Sequence, residues 1–160
     1  MSRKDILQNL FSRYNKLAST EDALNKLCNE AINTLTAGGT LFLAGNGGSA
    51  SDSEHLAGEL LKGFCSLRPL DSDMQKKFAD TYGDEGRDIA GKLQKGLKCI
   101  SLLSHPAYAS AFANDIDSSL IYAQQLHALG TANDMVIGFS TSGNAGNIRK
   151  LFMTAKMLNI

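Results

Sequence analysis

Thr40-Leu41-Phe42-Leu43-Ala44-Gly45-Asn46-Gly47-Gly48-Ser49 is the stretch on which the fold turns. Leu41 to Ala44 are apolar without alternation, the pattern of a short strand buried on both faces of a parallel sheet. Glycine ends the run at once, and residues from about Ser49 to Lys62 read as a helix. The same order returns twice. Leu97–Leu103 (LKCISLL) is a second buried strand, followed by helical stretches near 106–113 and 117–128 that Gly130 closes. Met135–Phe139 (MVIGF) is a third, leading through Ser140–Gly143 into a helix from about Asn144 to Met157. Strands alternating with helices predict an α/β fold with a parallel sheet and right-handed crossovers.

Upstream, residues 3–17 form a first helix with Ile6, Leu7, Leu10, Phe11, Tyr14 and Leu17 at spacings of three and four. Ser19 to Asp22 fits a helix-start signal, and a second stripe runs through Leu24, Leu27, Cys28, Ala31, Ile32 and Leu35 until Gly38-Gly39. Between the first two strands, residues 71–98 carry six acidic and six basic side chains, with a turn expected at Tyr82–Gly86. Residues 68–98 read as a charged surface insertion, with a mobile lid as the sharper alternative. Leu158-Asn159-Ile160 falls where a fourth strand is expected, so residues 1–160 are expected to be one domain incomplete at its C-terminal end.

Composition narrows the function. The chain has 160 residues, 43% hydrophobic and 20% charged, which is enough to bury a core. Sixteen basic side chains balance sixteen acidic ones, against general electrostatic binding to nucleic acid or an anionic membrane. No run is long enough to span a membrane, and the first ten residues (MSRKDILQNL) lack the apolar core of a signal peptide. Cys28, Cys65 and Cys99 are odd in number and widely spaced, as expected of reduced thiols in a cytoplasmic protein. Cys99, inside an apolar strand, is expected to be a small core residue.

The turn at Gly45–Ser49 places backbone N–H groups at a helix N-terminus, where the helix dipole favours an anion. It is not a phosphate loop of the Gly-Lys-Ser/Thr kind, and Ala50 stands where a dinucleotide fingerprint has its third glycine. Ser140-Thr141-Ser142-Gly143-Asn144 brings hydroxyls and a glycine to the end of the third strand. A tight connection at the first turn and a simple N-cap at the second are the plain alternatives. Two such loops at carboxyl ends of parallel strands nevertheless point to a ligand crevice, and neutral donors suit a phosphorylated metabolite. His55 and Glu59, four apart, share a helix face and can bind a metal or act as a base and its partner, or be a solvated pair.

Ala44-Gly45-Asn46-Gly47-Gly48-Ser49-Ala50, then His55 and Glu59, then Ser140-Thr141-Ser142-Gly143-Asn144, together resemble the sugar isomerase (SIS) family, and within it the phosphoheptose isomerase branch. The resemblance covers residues 1 to about 66 and 101 to 160. It implies a three-layer αβα fold with a central parallel sheet, flavodoxin-like, preceded by two N-terminal helices. It also implies an aldose–ketose isomerase, taking sedoheptulose 7-phosphate to D-glycero-D-manno-heptose 7-phosphate through an enediol, for heptose and cell-surface glycan synthesis. By resemblance, Asn46, Gly47, Gly48 and Ser49 hold the substrate, and Ser140, Thr141 and Ser142 take the phosphate. Asn114 and Asp115 meet sugar hydroxyls, Glu59 is the catalytic carboxylate, and His55 and Glu59 ligate zinc. A homotetramer is implied as well. The chain departs from the family at Ala145, usually serine, at the 68–98 insertion, and in lacking any residue assignable to the family's remaining zinc ligands and second acid/base. A non-catalytic SIS protein, sensing a phosphosugar or serving as a partner scaffold such as a replication-initiator associate, is the alternative.

Overall fold

Leu41 and Leu43 point to one side of the first strand, Phe42 and Ala44 to the other, and all four are at most 2% exposed. A strand can be buried this way only as the middle layer of a sandwich, and that is its place. The computed structural model describes residues 2–160. Strand β1 (Leu41–Ala44) lies between β2 (Cys99–Ser101) and β3 (Met135–Gly138), giving the order β2-β1-β3, all parallel. Register is set by Phe42 opposite both Ile100 and Val136.

Helices cover both faces. Leu41, Leu43 and Cys99 pack with Ala31 and Leu35 of α2 (Glu21–Thr36) and with Leu56, Ala57 and Leu60 of α3 (Gly48–Leu61). Burial pushes the Cys99 thiol up to about 11, so it stays protonated and packs as a small core residue, as expected. Phe42 and Ala44 meet Tyr122 and Leu126 of α6 (Ile121–Leu129), and Ile148, Leu151 and Ala155 of α7 (Gly146–Met157). This is the three-layer αβα arrangement expected. Burying a side chain such as Phe42 or Leu151 contributes about 1.5–3 kcal/mol each.

The first helix, α1 (Arg3–Arg13), is shorter than its stripe. Its start is a capping box not foreseen in the sequence: the Ser2 hydroxyl accepts from the Asp5 N–H, and the Ser2 N–H donates to the Asp5 carboxylate. Residues Asn15–Thr20 form a tight 3-10 turn instead of a helix end, and the Thr20 hydroxyl donates back to Leu17. The start signal at Ser19 therefore caps nothing. Arg3 ties α1 to α2 through the side chains of Asn25 and Asn29.

The 68–98 segment differs more. Most of it is helix, α4 (Ser72–Lys92), broken only at Gly83, whose φ of 60° and ψ of −130° leave the helical region. The turn expected at Tyr82–Gly86 is this kink, and Gly86 packs so closely on the Phe78 carbonyl that a Cβ would sit 2.0 Å from its oxygen. The segment's base is pinched shut: Arg68 donates to the carbonyls of Leu60 and Lys95, and the Gln94 side chain accepts from the N–H groups of Gly63 and Arg68. Since α3 runs back down from the glycine turn, this root lies at the end of the sheet opposite the two candidate loops. Helix α5 (Pro106–Phe112), a π turn at Ala113–Asp117 and a 3-10 turn at Ser118–Leu120 join β2 to α6. No helix among the described residues is long and apolar enough to cross a membrane.

Candidate functional site

Because β1 and β3 are neighbours in the sheet, the turns that follow them open side by side at their carboxyl ends. The first turn is tight. A Cβ on Gly45 would lie 2.3 Å from the Ser49 carbonyl oxygen, and Gly47, at φ 56°, is the residue before α3. No side chain caps α3, and none caps α7, whose preceding residue is Ala145. Ser142 is thus no N-cap: its hydroxyl accepts from the Asn144 N–H at 3.2 Å inside the second loop. A cavity of about 560 Å³ opens between that loop and α7, lined by Ser140, Asn144, Ala145 and Arg149 with Ile148 and Phe152. Its polar rim and the dipole of α7 suit an anionic group.

The two loops are joined through Asn46, a candidate from the sequence, by Asn147 and Tyr122, which sequence reading passed over. Asn46 donates to Asn147 at 2.9 Å, and Asn147 donates to Asn46 at 2.8 Å. The buried Tyr122 hydroxyl donates to the Gly45 carbonyl at 2.6 Å and lies 3.4 Å from the Asn46 side-chain oxygen. Burial raises the Tyr122 pKa, so the phenol remains a donor. Asn147 stands in the first turn of α7, just beyond the hydroxyl-rich loop, and its distance in sequence from Asn46 carries no local signal.

Asn114 and Asp115 are exposed in the π turn after α5, and the Asn114 amide donates to Asp115 at 2.9 Å. That segment is held to α7 by Lys150, which reaches Asp117 at 3.4 Å and the Ser119 hydroxyl. Hydrogen bonds from the Ser119 hydroxyl and N–H keep the Asp117 carboxyl below its usual range. His55 is exposed and Glu59 half-buried on α3, seven and eleven residues beyond Gly48, or about 10 and 16 Å along the helix axis. The fold therefore brings the two loops together but sets the His55–Glu59 pair well down α3. As a zinc site the pair is incomplete. Tetrahedral zinc takes four ligands, and no group of three or more His, Cys, Asp or Glu side chains able to hold a metal occurs among the described residues.

No family model matches the chain. The chain is 33% identical over 158 residues to a phosphoheptose isomerase of Helicobacter pylori, covering 99% of this chain and 69% of that protein. It is 37% identical over 123 residues to a phosphoheptose isomerase of Thermodesulfovibrio yellowstonii, spanning 48% of that protein. Among solved structures, a phosphoheptose isomerase from Francisella tularensis superposes with a TM-score of 0.68 at 22% identity, over 99% of this chain and 72% of that one. That likeness is in the fold.

Proposed function

Because the chain belongs to the phosphoheptose isomerase family, a family of isomerases, we propose that it binds a phosphorylated seven-carbon sugar and interconverts sedoheptulose 7-phosphate and D-glycero-D-manno-heptose 7-phosphate. The observation that carries this reading is the pair of linked loops at neighbouring strand ends, one glycine-rich and one hydroxyl-rich. Thr141 and Ser142 would donate hydroxyl protons to the phosphate, and the uncapped start of α7 would add its dipole. The glycine turn and the Asn114-Asp115 pair would meet the sugar chain.

In this reading Glu59 takes the proton from C1 of the ketose while O2 gains one, leaving an enediol; O1 then gives up its proton as Glu59 returns its own to C2, and the aldose results. The 16 Å or so between Gly48 and Glu59 along α3 leads us to include a second copy of the chain, whose Glu59 can face a neighbour's loops. The exposed stripes of α1 and α2, with Ile6 at 53% and Ile32 at 51%, support assembly into an oligomer, which we take as a tetramer. His55 and Glu59 would supply two ligands to a zinc ion, which when bound would stabilise charge on the enediolate oxygen. The relatives do not favour the non-catalytic alternative.

The test is incubation with sedoheptulose 7-phosphate in D2O, followed by NMR. Deuterium appearing at C1 of the ketose together with the aldose product is the expected result. Binding without exchange or product would overturn the catalytic reading in favour of a phosphosugar-binding protein.

A further inference from the structure

His105 stands just past the carboxyl end of β2, immediately before α5, with its side chain exposed. Its Nδ1 lies 3.0 Å from Oε1 of Gln125. Gln125 is buried, only 5% exposed, and its Nε2 donates to the Leu102 carbonyl at 2.7 Å and reaches that of Ile121 at 3.4 Å. Both neighbours of that nitrogen are carbonyl oxygens, so the amide can sit only one way round, with Oε1 facing the histidine. Since Oε1 only accepts, Nδ1 carries the proton, and Nε2, which has no hydrogen-bond partner among the described residues, is the ring's acceptor. The segment around the ring is braced too. Pro106 starts α5, the Ala109 N–H donates to the His105 carbonyl at 2.9 Å, and the Tyr108 hydroxyl donates to Ile121 at 3.1 Å.

Position matters as much as tautomer. Gln125 follows Tyr122 by three residues on α6, so the two side chains share a face with Cβ atoms about 5–6 Å apart. Tyr122 grips the glycine turn through the Gly45 carbonyl. One helix face therefore holds the glycine turn with one residue and His105 with the next. β2 and β1 are paired, Ser101 opposite Leu43, so both groups lie at the carboxyl ends of adjacent strands.

We propose that His105 is a further ligand-contacting residue of this crevice, offering Nε2 to a hydroxyl of the sugar chain, with Gln125 as its positioning residue. The proposal rests on the sugar-phosphate reading above. A buried amide commits its oxygen to an exposed ring, which leaves Nε2 fixed and facing outward, the arrangement a ligand contact requires.

The experiment is a titration of the chain carrying ¹⁵N-labelled histidine, with the His105 signals assigned from a His105→Ala variant. The expected spectrum shows the Nδ1–H tautomer, with the Nε2 signal moving on addition of sedoheptulose 7-phosphate and staying put with inorganic phosphate. By calorimetry, His105→Ala should weaken the sugar phosphate about tenfold, the loss of one hydrogen bond, and leave inorganic phosphate binding unchanged. Gln125→Leu should lose the single tautomer and bind the sugar phosphate as weakly as His105→Ala. Should that variant fail to fold, the wild-type titration decides. An Nε2 signal unmoved at saturating sugar phosphate, or full affinity in His105→Ala, overturns the proposal alone. A wild-type chain that binds no sugar phosphate overturns the broader reading and this proposal with it.

Discussion

Asn46 and Asn147, 101 residues apart in the chain, exchange two amide hydrogen bonds of 2.9 and 2.8 Å across the mouth of the crevice. The pair locks the glycine turn to the first turn of α7, and Asn147 also accepts from the Ile148 N–H at 3.0 Å. Asn147→Ala removes both inter-loop bonds and should cost about 1–2 kcal/mol of stability. Asn147→Asp keeps the acceptor for Asn46 and Ile148, so its melting temperature should fall between wild type and alanine. Its affinity for a sugar phosphate should be the lowest of the three, because it places a carboxylate beside the anion. If affinity instead followed stability, with aspartate above alanine, the crevice would not be an anion site.

Thr141 and Ser142 are exposed in the second loop, and Ser142 already accepts from the Asn144 N–H. Their hydroxyl protons remain available to a phosphate. Thr141→Ala and Ser142→Ala should each weaken sugar-phosphate binding by about 1–3 kcal/mol, as expected for hydrogen bonds to a charged group. Calorimetry on a folded double variant that bound as tightly as wild type would remove the phosphate from this loop.

Neither α1 nor α2 has a buried residue, although both carry apolar stripes. Ala31 and Leu35 of α2 pack on the sheet, while Ile6, Leu27 and Ile32 remain 53%, 39% and 51% exposed. Covering them between copies would satisfy the stripes. Light scattering at micromolar concentration should return a multiple of 17.1 kDa. A single-chain mass would end the oligomer reading.

Much of this was legible in the sequence, for physical reasons that differ by element. The strand at Leu41–Ala44 could be read because burial on both faces leaves no polar residue to confuse the pattern. Both loops could be read because their glycine and hydroxyl residues follow directly on those strands. Helix α4 was obscured by Gly83 and Gly86, which look like a turn. Its support was nevertheless written in the pairs Lys76–Asp80, Asp84–Arg87 and Asp88–Lys92, spaced for a helix surface. Ser19 resembled a cap but lies in a 3-10 turn, whereas the working capping box, Ser2 with Asp5, stands at the very start. Tyr122 on Gly45, Asn46 on Asn147 and Gln125 on His105 join residues that only the folded sheet brings together. No local spacing announces them.

Asp134 ties the start of β3 to that of β1. Its carboxylate accepts from the N–H groups of Thr40 and Thr131, both at 2.7 Å, and from the Thr131 hydroxyl at 3.0 Å. Partial burial raises its pKa, but these hydrogen bonds outweigh it and leave the carboxyl below its usual value. A depressed folded pKa gives stability that is fully present above the unfolded value, about 3.9, and is lost as pH falls through the folded one. Asp134→Asn should therefore destabilise the chain at pH 7 and flatten the acid limb of its stability curve. Denaturant melts between pH 2 and pH 7 showing equal losses at every pH would assign the effect to packing instead.

Glu59 decides between the catalytic and the merely binding protein. Glu59→Gln keeps the size and most hydrogen bonding of the side chain but cannot accept the substrate proton, so turnover should drop about 10²–10⁴-fold with substrate affinity mostly kept. If Glu59 and His55 also ligate zinc, Glu59→Gln and His55→Ala should both lower bound metal. Metal content measured beside solvent-deuterium exchange separates the two roles. Exchange at the wild-type rate in metal-loaded Glu59→Gln would show that another group moves the proton. Because Glu59 lies far down α3 from the loops, a mixture of Glu59→Gln chains with chains disabled at Thr141 and Ser142 supplies the sharper comparison. If Glu59 of one copy serves the loops of another, mixed oligomers should recover part of the lost exchange, since some sites then combine an intact carboxylate with intact loops. Mixing that restores nothing, in oligomers shown to exchange subunits, would place Glu59 and the loops it serves in the same chain.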